Sequence, residues 1–433
     1  MNILIKNCHI FCDDSESPII LGDVAIEGSR LVKVGSEGAL PPGWQPERVI
    51  DGGNYLCLPG LINCHTHAAM TLLRSYADDL PLMHWLEKKI WPVENRLTGE
   101  DVYWGSLLAM MEMIRSGTTT FNDMYFFMDE VAQAVEKIGI RACLSRGLVG
   151  VGGTARVGLK ESRKLIEKWQ GGAKGRIRIW LGPHAPYTCP PGYIKKVLSL
   201  AKEYETGIHI HVAETRDEIR IINERYSKTP VTYLEELGVF EFPVLAAHCV
   251  HLTGDDISLL ARRGVAVAHN PESNMKLASG VAPVVKLRGA GITVGIGTDG
   301  AASNNNLDMF GEMRTAALLH KVFNEDPLVM PALEVLRMAT GDGARALGLG
   351  DEIGVLKPGY KADLILVDLK QPHYHPRHNL VAHAVYAAGA GDVDLVIIDG
   401  EIIMENRKIL TIDEERVLDE VERCARRLTS GFN

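Results

Sequence analysis

With 433 residues the chain is long enough for one large domain and a smaller one. Its 46% hydrophobic and 23% charged residues are the balance of a globular protein. A net charge of −9, with no basic run of five residues, argues against nucleic acid or an anionic membrane as partner.

Eight scattered cysteines form no C-x-x-C pair, which fits a reducing compartment better than a disulfide framework. The first residues lack the pattern of a signal peptide. No apolar run approaches the ~18 residues of a membrane helix. A cytoplasmic setting is expected.

The elements in chain order begin with short strand-like runs, ILIKNCHIF, DVAIEGSRLVKVG and RVIDGGNYLCLPG, punctuated by Gly and Asp. The end of the chain repeats the pattern in ADLILVDL, HAVYAAG and DVDLVIIDGEIIMENRKIL. Both ends together predict one small β-sandwich, residues 1–58 with 350–433, because the termini of a compact unit often lie close together. Between them, eight β-branched apolar runs each lead into polar residues and then a helical stretch: CLPGLINCHTH, TTTFNDM, RACLSRGL, IRIWLGPHAP, GIHIHVAET, VLAAHCVH, VAVAHNPESN and TVGIGTDGAASNN. Strands buried on both faces that alternate with helices imply a parallel sheet. Eight units over 59–349 predict a (β/α)8 TIM-type barrel of α/β class. The glycines at 150–153 lack G-x-G-x-x-G spacing and read as a loop. The last helix, Thr411–Gly431, carries Thr411 and Glu414 at capping-box spacing. Its apolar face is Val417, Val421, Cys424 and Leu428.

Polar residues gather at the C-terminal ends of these strands, the face where barrels do chemistry. Strand one ends in His65 and His67, whose i, i+2 spacing turns both imidazoles to one side. Strand four carries His184, strand five His209, His211 and then Glu214. Strand six offers His248 and His251, strand seven His269, strand eight Asp299. His65, His67, His211 and Asp299 supply three nitrogens and an oxygen, a donor set for zinc, with iron(II) or manganese as other candidates. A position left for water marks a catalytic site. One histidine on an apolar strand is usually structural. The ordered series on successive strand ends is not so readily reached by chance. His209 is assigned to the helix-facing side. His251, His269 and Asp123 receive no functional role.

The stretches LPGLINCHTH, LPLMHWLEKKIWPVENRLT, HVAET, AAHCVH, HNPESNMKLASG, GTDGAASNNNLDMFGEMR and GVLKPGYKADLILVD resemble the amidohydrolase superfamily. Within it they are similar to the 5′-methylthioadenosine/S-adenosylhomocysteine deaminases, with chlorotriazine hydrolases nearby. The resemblance spans essentially the whole chain. It implies His65, His67, His211 and Asp299 as metal ligands, Glu214 as the acid that shuttles protons to the purine, and His248 beside the attacking water. It also implies Glu94 on the ribose hydroxyls, Arg146 and His184 as further substrate contacts, and Trp85 in a segment covering the nucleoside. The carboxylated lysine of two-metal members has no counterpart in IRIWLGPHAP, so a single divalent metal is expected.

Read as chemistry, adenine deamination needs an activated water at C6 and a protonated ring nitrogen. A divalent metal lowers the pKa of water to about 7. Asp299 can take the water's proton and return it to the leaving amine. Glu214 can protonate N1, and His248 can hydrogen-bond the water and stabilise developing charge. Arg146 is suited to a substrate carboxylate, with Arg156 of GVGGTARVG a weaker candidate. Leu82, Met83, Trp85, Leu86 and Trp91 form an apolar patch that can exclude water. The rivals are another hydrolase on this scaffold, for guanine, cytosine or a chlorotriazine, and a catalytically silent scaffold protein. A small nucleoside is the expected partner, and a homo-oligomer is compatible with the pattern without being required by it.

Overall fold

The computed structural model describes residues 1–13, 18–36, 40–151 and 155–431. Five strands come first: β1 (Asn2–Phe11), β2 (Ile19–Glu27), β3 (Arg30–Gly35), β4 (Arg48–Asp51) and β5 (Tyr55–Pro59). Eight follow, each separated from the next by helix: β6 (Leu61–Thr66), β7 (Thr118–Tyr125), β8 (Arg141–Leu148), β9 (Ile177–Pro183), β10 (Ile208–Val212), β11 (Val244–His248), β12 (Ala266–His269) and β13 (Val294–Ile296). The chain then returns to the first sheet as β14 (Leu364–Asp368), β15 (Val393–Ile398), β16 (Glu401–Glu405) and β17 (Lys408–Ile409).

The terminal strands make one nine-stranded sheet in the order β17-β16-β15-β14-β5-β1-β2-β3, with β4 also paired to β1. The two ends of the chain meet where β14 runs antiparallel to β5, Leu364 opposite Pro59 and Asp368 opposite Tyr55. Asp399 and Gly400, both at positive φ, form the two-residue turn between β15 and β16 that an Asp-Gly pair favours. A side chain at Gly400 would meet the carbonyl of Gly28 at 1.8 Å, so only glycine fits.

Strands β6 to β13 pair in chain order, and each neighbouring pair runs parallel. Each of the eight runs expected from the sequence contributes a strand to this barrel. Its seam closes without a regular ladder: Asp299 N donates to His65 O at 2.9 Å and Thr298 N to Asn63 Oδ1 at 3.1 Å. Gly295 permits the approach, because a Cβ there would lie 2.3 Å from Cys64 Sγ. Below the mouth the interior is filled by Ile62, Cys64, Cys143, Leu245, Ala247 and Ala268, a packed core and not a pore.

Two local expectations change. HAVYAAG is not a strand: its His383–Tyr386 end the helix Leu380–Tyr386, and the other three residues follow it. Asn379 caps that helix by accepting the Ala382 N–H at 3.0 Å, and Leu380, Val381, Ala384 and Val385 are buried at helical spacing. The last helix runs Glu414–Thr429 with Asp413, not Thr411, at its N-cap. Thr411 instead donates to Ile138 O, and Glu414 accepts the Ile409 N–H. Its expected apolar face is buried, and Arg423 and Arg427 reach Glu100 and Asp101 on the barrel helix Gly99–Arg115. None of the eight cysteines forms a disulfide. Among the described residues no helix is long and apolar enough to cross a membrane.

Candidate metal centre and active site

Four strand ends converge. The nitrogens of His65, His67 and His211 lie within 4.8 Å of one another, as do the ligand atoms of His65, His248 and Asp299. His67 Nε2 is 3.3 Å from His211 Nε2 and 3.3 Å from Asp299 Oδ1. His65 Nε2 is 3.4 Å from that same oxygen. Tetrahedral ligands at about 2.0–2.1 Å from zinc sit about 3.3 Å apart, so these spacings match one shared ion.

The protonation pattern fits as well. His67 Nδ1 donates to Met124 O and His211 Nδ1 to His184 O, both at 2.6 Å. A carbonyl accepts only, so each neutral ring carries its proton on Nδ1 and turns a bare Nε2 inward. Two lone pairs 3.3 Å apart repel unless a cation lies between them. Burial, with nearby histidines adding to it, holds the His211 imidazole well below its ordinary pKa, and burial takes His65 down to about 3. Both are therefore neutral, the form a metal needs. His65 Nε2 is buried without a hydrogen-bond partner.

Asp299 is fixed at both oxygens. Oδ1 accepts Gly300 N at 2.8 Å, and Oδ2 accepts the hydroxyls of Ser273 at 2.6 Å and Ser303 at 2.9 Å. Burial pushes its carboxyl up, but the imidazoles of His65, His67 and His248 around it hold it well below the usual range. The backbone at these strand ends is left-handed without glycine: Ala213, His248, Cys249 and Asp299 have φ of 53°, 73°, 50° and 59°. Such strain, of order 1–3 kcal/mol per residue, gathers at functional sites.

Glu214 stands in the same mouth, its Oε2 4.0 Å from His248 Nε2. Burial raises its pKa, and Asp299 adds to the rise against the opposing pull of His248 and His67. His248 Nδ1 donates to Asn274 Oδ1 at 2.9 Å, aiming Nε2 at Glu214. Burial works against its charged form, yet Glu214 and Asp299 outweigh burial and raise its pKa.

The remaining expected residues ring this centre. Glu94 ends a continuous helical stretch from Leu82 with one wide turn at Leu86–Ile90. That widening lies just ahead of Pro92, which has no N–H and whose ring crowds the carbonyl four residues back. Glu94 Oε1 accepts the Tyr125 hydroxyl at 2.6 Å, and burial raises its pKa. His184 Nδ1 lies 3.0 Å from Thr188 Oγ1, whose own proton goes to Ala185 O. His184 therefore carries its proton on Nδ1 and keeps Nε2 as an acceptor, and burial lowers its pKa to about 4. Trp85 is buried, with Nε1 donating to Ala77 O at 2.8 Å. Arg146 is already engaged: its Nε donates to Glu161 Oε2 at 2.7 Å, and its guanidinium lies 4.8 Å over the Phe126 ring. Arg156 is exposed in the first turn of the helix Ala155–Trp169. The glycine cluster expected as a loop at 150–153 lies partly, at 152–153, outside the described residues.

One assignment is reversed. His209 does not face the helices. It sits two residues before His211, so both point into the barrel, His209 one layer deeper. Its Nε2 is 2.8 Å from His65 Nδ1, and Asn122 Nδ2 lies 3.1 Å from its Nδ1. It holds the far side of the His65 ring, away from the candidate metal position. His251 donates to Ser279 O at 2.7 Å, and His269 pairs with His320 at 3.0 Å, both apart from this centre. Asp123 accepts Ala68 N at 2.8 Å, and burial raises it to about 6. Sequence reasoning missed Tyr125, Thr188, Ser273, Asn274 and Ser303. The only available signal was the position of Ser273, Asn274 and Ser303 in the polar runs just after β12 and β13.

A sequence model of the amidohydrolase family matches residues 56–403. A 5-methylthioadenosine/S-adenosylhomocysteine deaminase of Pelotomaculum thermopropionicum is 59% identical over 430 residues, covering 99% of both chains. An adenosine deaminase from Xanthomonas campestris, solved with bound zinc, superposes with a TM-score of 0.94 at 36% identity, over 99% of this chain and 98% of its own. The zinc-complexed atrazine chlorohydrolase of Arthrobacter aurescens TC1 gives 0.90 at 26% identity, over 98% and 100%. This chain, with its parallel barrel and its His65, His67, His211 and Asp299 cluster, belongs to the amidohydrolase family.

Proposed function

We propose that the protein is a metal-dependent hydrolytic deaminase of adenosine-type nucleosides. Water replaces the 6-amino group of 5′-methylthioadenosine, S-adenosylhomocysteine or a related nucleoside, giving the inosyl product and ammonia. The observation that carries this reading is Glu214, a carboxyl raised in pKa by burial and placed beside His248 and the ligand set. That is the state a proton donor to a purine nitrogen must hold.

Bound by His65, His67, His211 and Asp299, a divalent ion supplies acidification of water, whose pKa falls to about 7. The side chains do the rest. Asp299, held ionised, accepts the proton of the attacking water and passes it to the departing amine. Glu214 delivers a proton to N1 as C6 is attacked, so negative charge does not build on the ring. His248 presents Nε2 to the developing charge at C6, steadied by Asn274 behind it. Glu94 spends one acceptor site on Tyr125 and keeps Oε2 for the ribose diol. His184 offers a lone pair to a substrate donor. The apolar stretch around Trp85 excludes water and receives the 5′ thioether. A 5′ carboxylate such as that of homocysteine competes with Glu161 for Arg146.

Ammonia release from zinc-loaded protein tests this. Adenosine, 5′-methylthioadenosine, S-adenosylhomocysteine, 5′-deoxyadenosine, guanine and cytosine make the panel, with chloride release read in parallel for a chlorotriazine. Turnover confined to the adenosine-type nucleosides, lost on chelation and restored by zinc, is expected. Turnover of guanine, cytosine or the triazine alone contradicts the reading. Because Glu214 must be protonated, kcat/KM falls on the alkaline side as it ionises, at a pH above the ordinary carboxylate range.

A further inference from the structure

We propose that Glu218 is a positioning residue that holds Glu214 in its proton-donating place. The inference rests on the reading of Glu214 as the proton donor. Glu218 sits in the first turn of the helix Arg216–Tyr226, whose N-cap is Thr215. An acid at this position ordinarily reaches back to the N-cap N–H. Glu218 reaches further: Oε1 accepts the N–H of Ala213 at 2.8 Å, and Oε2 accepts the N–H of Glu214 itself at 3.0 Å. The side chain is 2% exposed, so both bonds are made away from water, where an unmade one is costly.

The clamp acts on a strained turn. Ala213 has φ of 53°, a conformation that L residues with a Cβ adopt only when their surroundings enforce it. That twist swings Glu214 away from the strand direction and over His248. The Ala213 carbonyl is gripped from the other side by the N–H groups of Val250 at 3.1 Å and His251 at 2.9 Å, just beyond the end of β11. The turn is therefore held between Glu218 and the His248 loop, and Glu214 is set relative to His248 by main-chain bonds. Only a carboxyl offers two acceptor oxygens to two adjacent N–H groups. The amide of glutamine offers one and turns an N–H against the other.

The test compares Glu218→Gln with Glu214→Gln in zinc-loaded protein, with metal content and Tm measured alongside. Glu218→Gln is expected to bind zinc normally, to keep KM within about twofold, and to lose about tenfold to a hundredfold in kcat, since a small misplacement of a reacting group is that damaging. Its solvent deuterium isotope effect on kcat is expected to rise, because a displaced donor makes proton transfer limiting, whereas a merely structural loss leaves that effect unchanged. Adding Ala213→Gly is expected to recover part of kcat, since glycine adopts positive φ without strain. Should the single variant fail to fold, this double variant carries the same comparison. If Glu214→Gln remains active, the underlying reading of Glu214 fails. If Glu214→Gln is inactive while Glu218→Gln keeps a wild-type kcat and isotope effect, or loses activity with an unchanged isotope effect, the positioning role fails.

Discussion

The two ends of the barrel bury charge in opposite ways. At the N-terminal end, Arg141 at the start of β8 donates to both oxygens of Asp363 at 2.8 and 3.0 Å. Asp363 also accepts Asp399 N at 2.7 Å, and Lys361 pairs with Asp399 at 2.9 Å. Arg141 and Asp363 are almost fully buried, and the cluster bolts the barrel to the terminal sheet. At the C-terminal end, neutral histidines turn lone pairs toward one another, a carboxyl is raised in pKa, and four non-glycine residues turn with positive φ. One end satisfies its own charges. The other is satisfied only when something binds. Stability and function thus occupy opposite rims of one barrel, and a substitution at either rim is expected to show which.

The largest effect is expected at the closed end. Asp363→Ala leaves Arg141 buried without its carboxylate, a change that costs about 3–5 kcal/mol in comparable pairs. Denaturant unfolding is expected to show that loss, while zinc affinity of the folded fraction stays at the wild-type value. A loss of zinc affinity without a loss of stability would erase the contrast between the rims.

Next comes His209→Leu. It removes the partner of His65 Nδ1 while sparing His65, His67, His211 and Asp299, and outer partners of metal-binding histidines are worth about tenfold to a hundredfold in metal affinity. Competition against a chromophoric chelator reads the effect. An unchanged affinity would make His209 a packing residue only.

The smallest effect belongs to the rim surface. The Arg146–Glu161 pair is half exposed on the Glu161 side, and such pairs are worth about 0.2–1 kcal/mol. Glu161→Gln frees Arg146, so kcat/KM for S-adenosylhomocysteine relative to 5′-methylthioadenosine is expected to rise by up to about fivefold. A ratio that stays constant would place Arg146 outside the reach of the 5′ group.

How much of this was legible follows the range of the interactions. The barrel strands are continuous apolar runs that carry their own period, and the i, i+2 spacing of His65 and His67 is local geometry. Both could be read directly. HAVYAAG could not, because its length and apolar content suit a strand or a helix until the Asn379 cap decides. His209 was misplaced because it was set on the face opposite His211, whereas the i, i+2 spacing that turns His65 and His67 together puts His209 and His211 on one side as well. Two residues on one side, His209 and His211, serve different layers. Tyr125 on Glu94, Ser273 on Asp299 and Asn122 on His209 join distant parts of the chain, and nothing in local spacing specifies such partners. Glu218 has a legible helix-start position, yet its reach past Thr215 to Ala213 depends on a turn that only the folded strand end defines.

The central claim is that His65, His67, His211 and Asp299 hold one divalent ion on which deamination depends. The most direct measurement is zinc per chain, taken together with ammonia release from 5′-methylthioadenosine, for the native protein and for His211→Ala. One tightly held zinc in the native protein, and loss of both metal and ammonia release in the variant, is the predicted result. Ammonia release that persists without bound metal, or zinc that stays bound at native affinity after His211 is removed, would contradict the account.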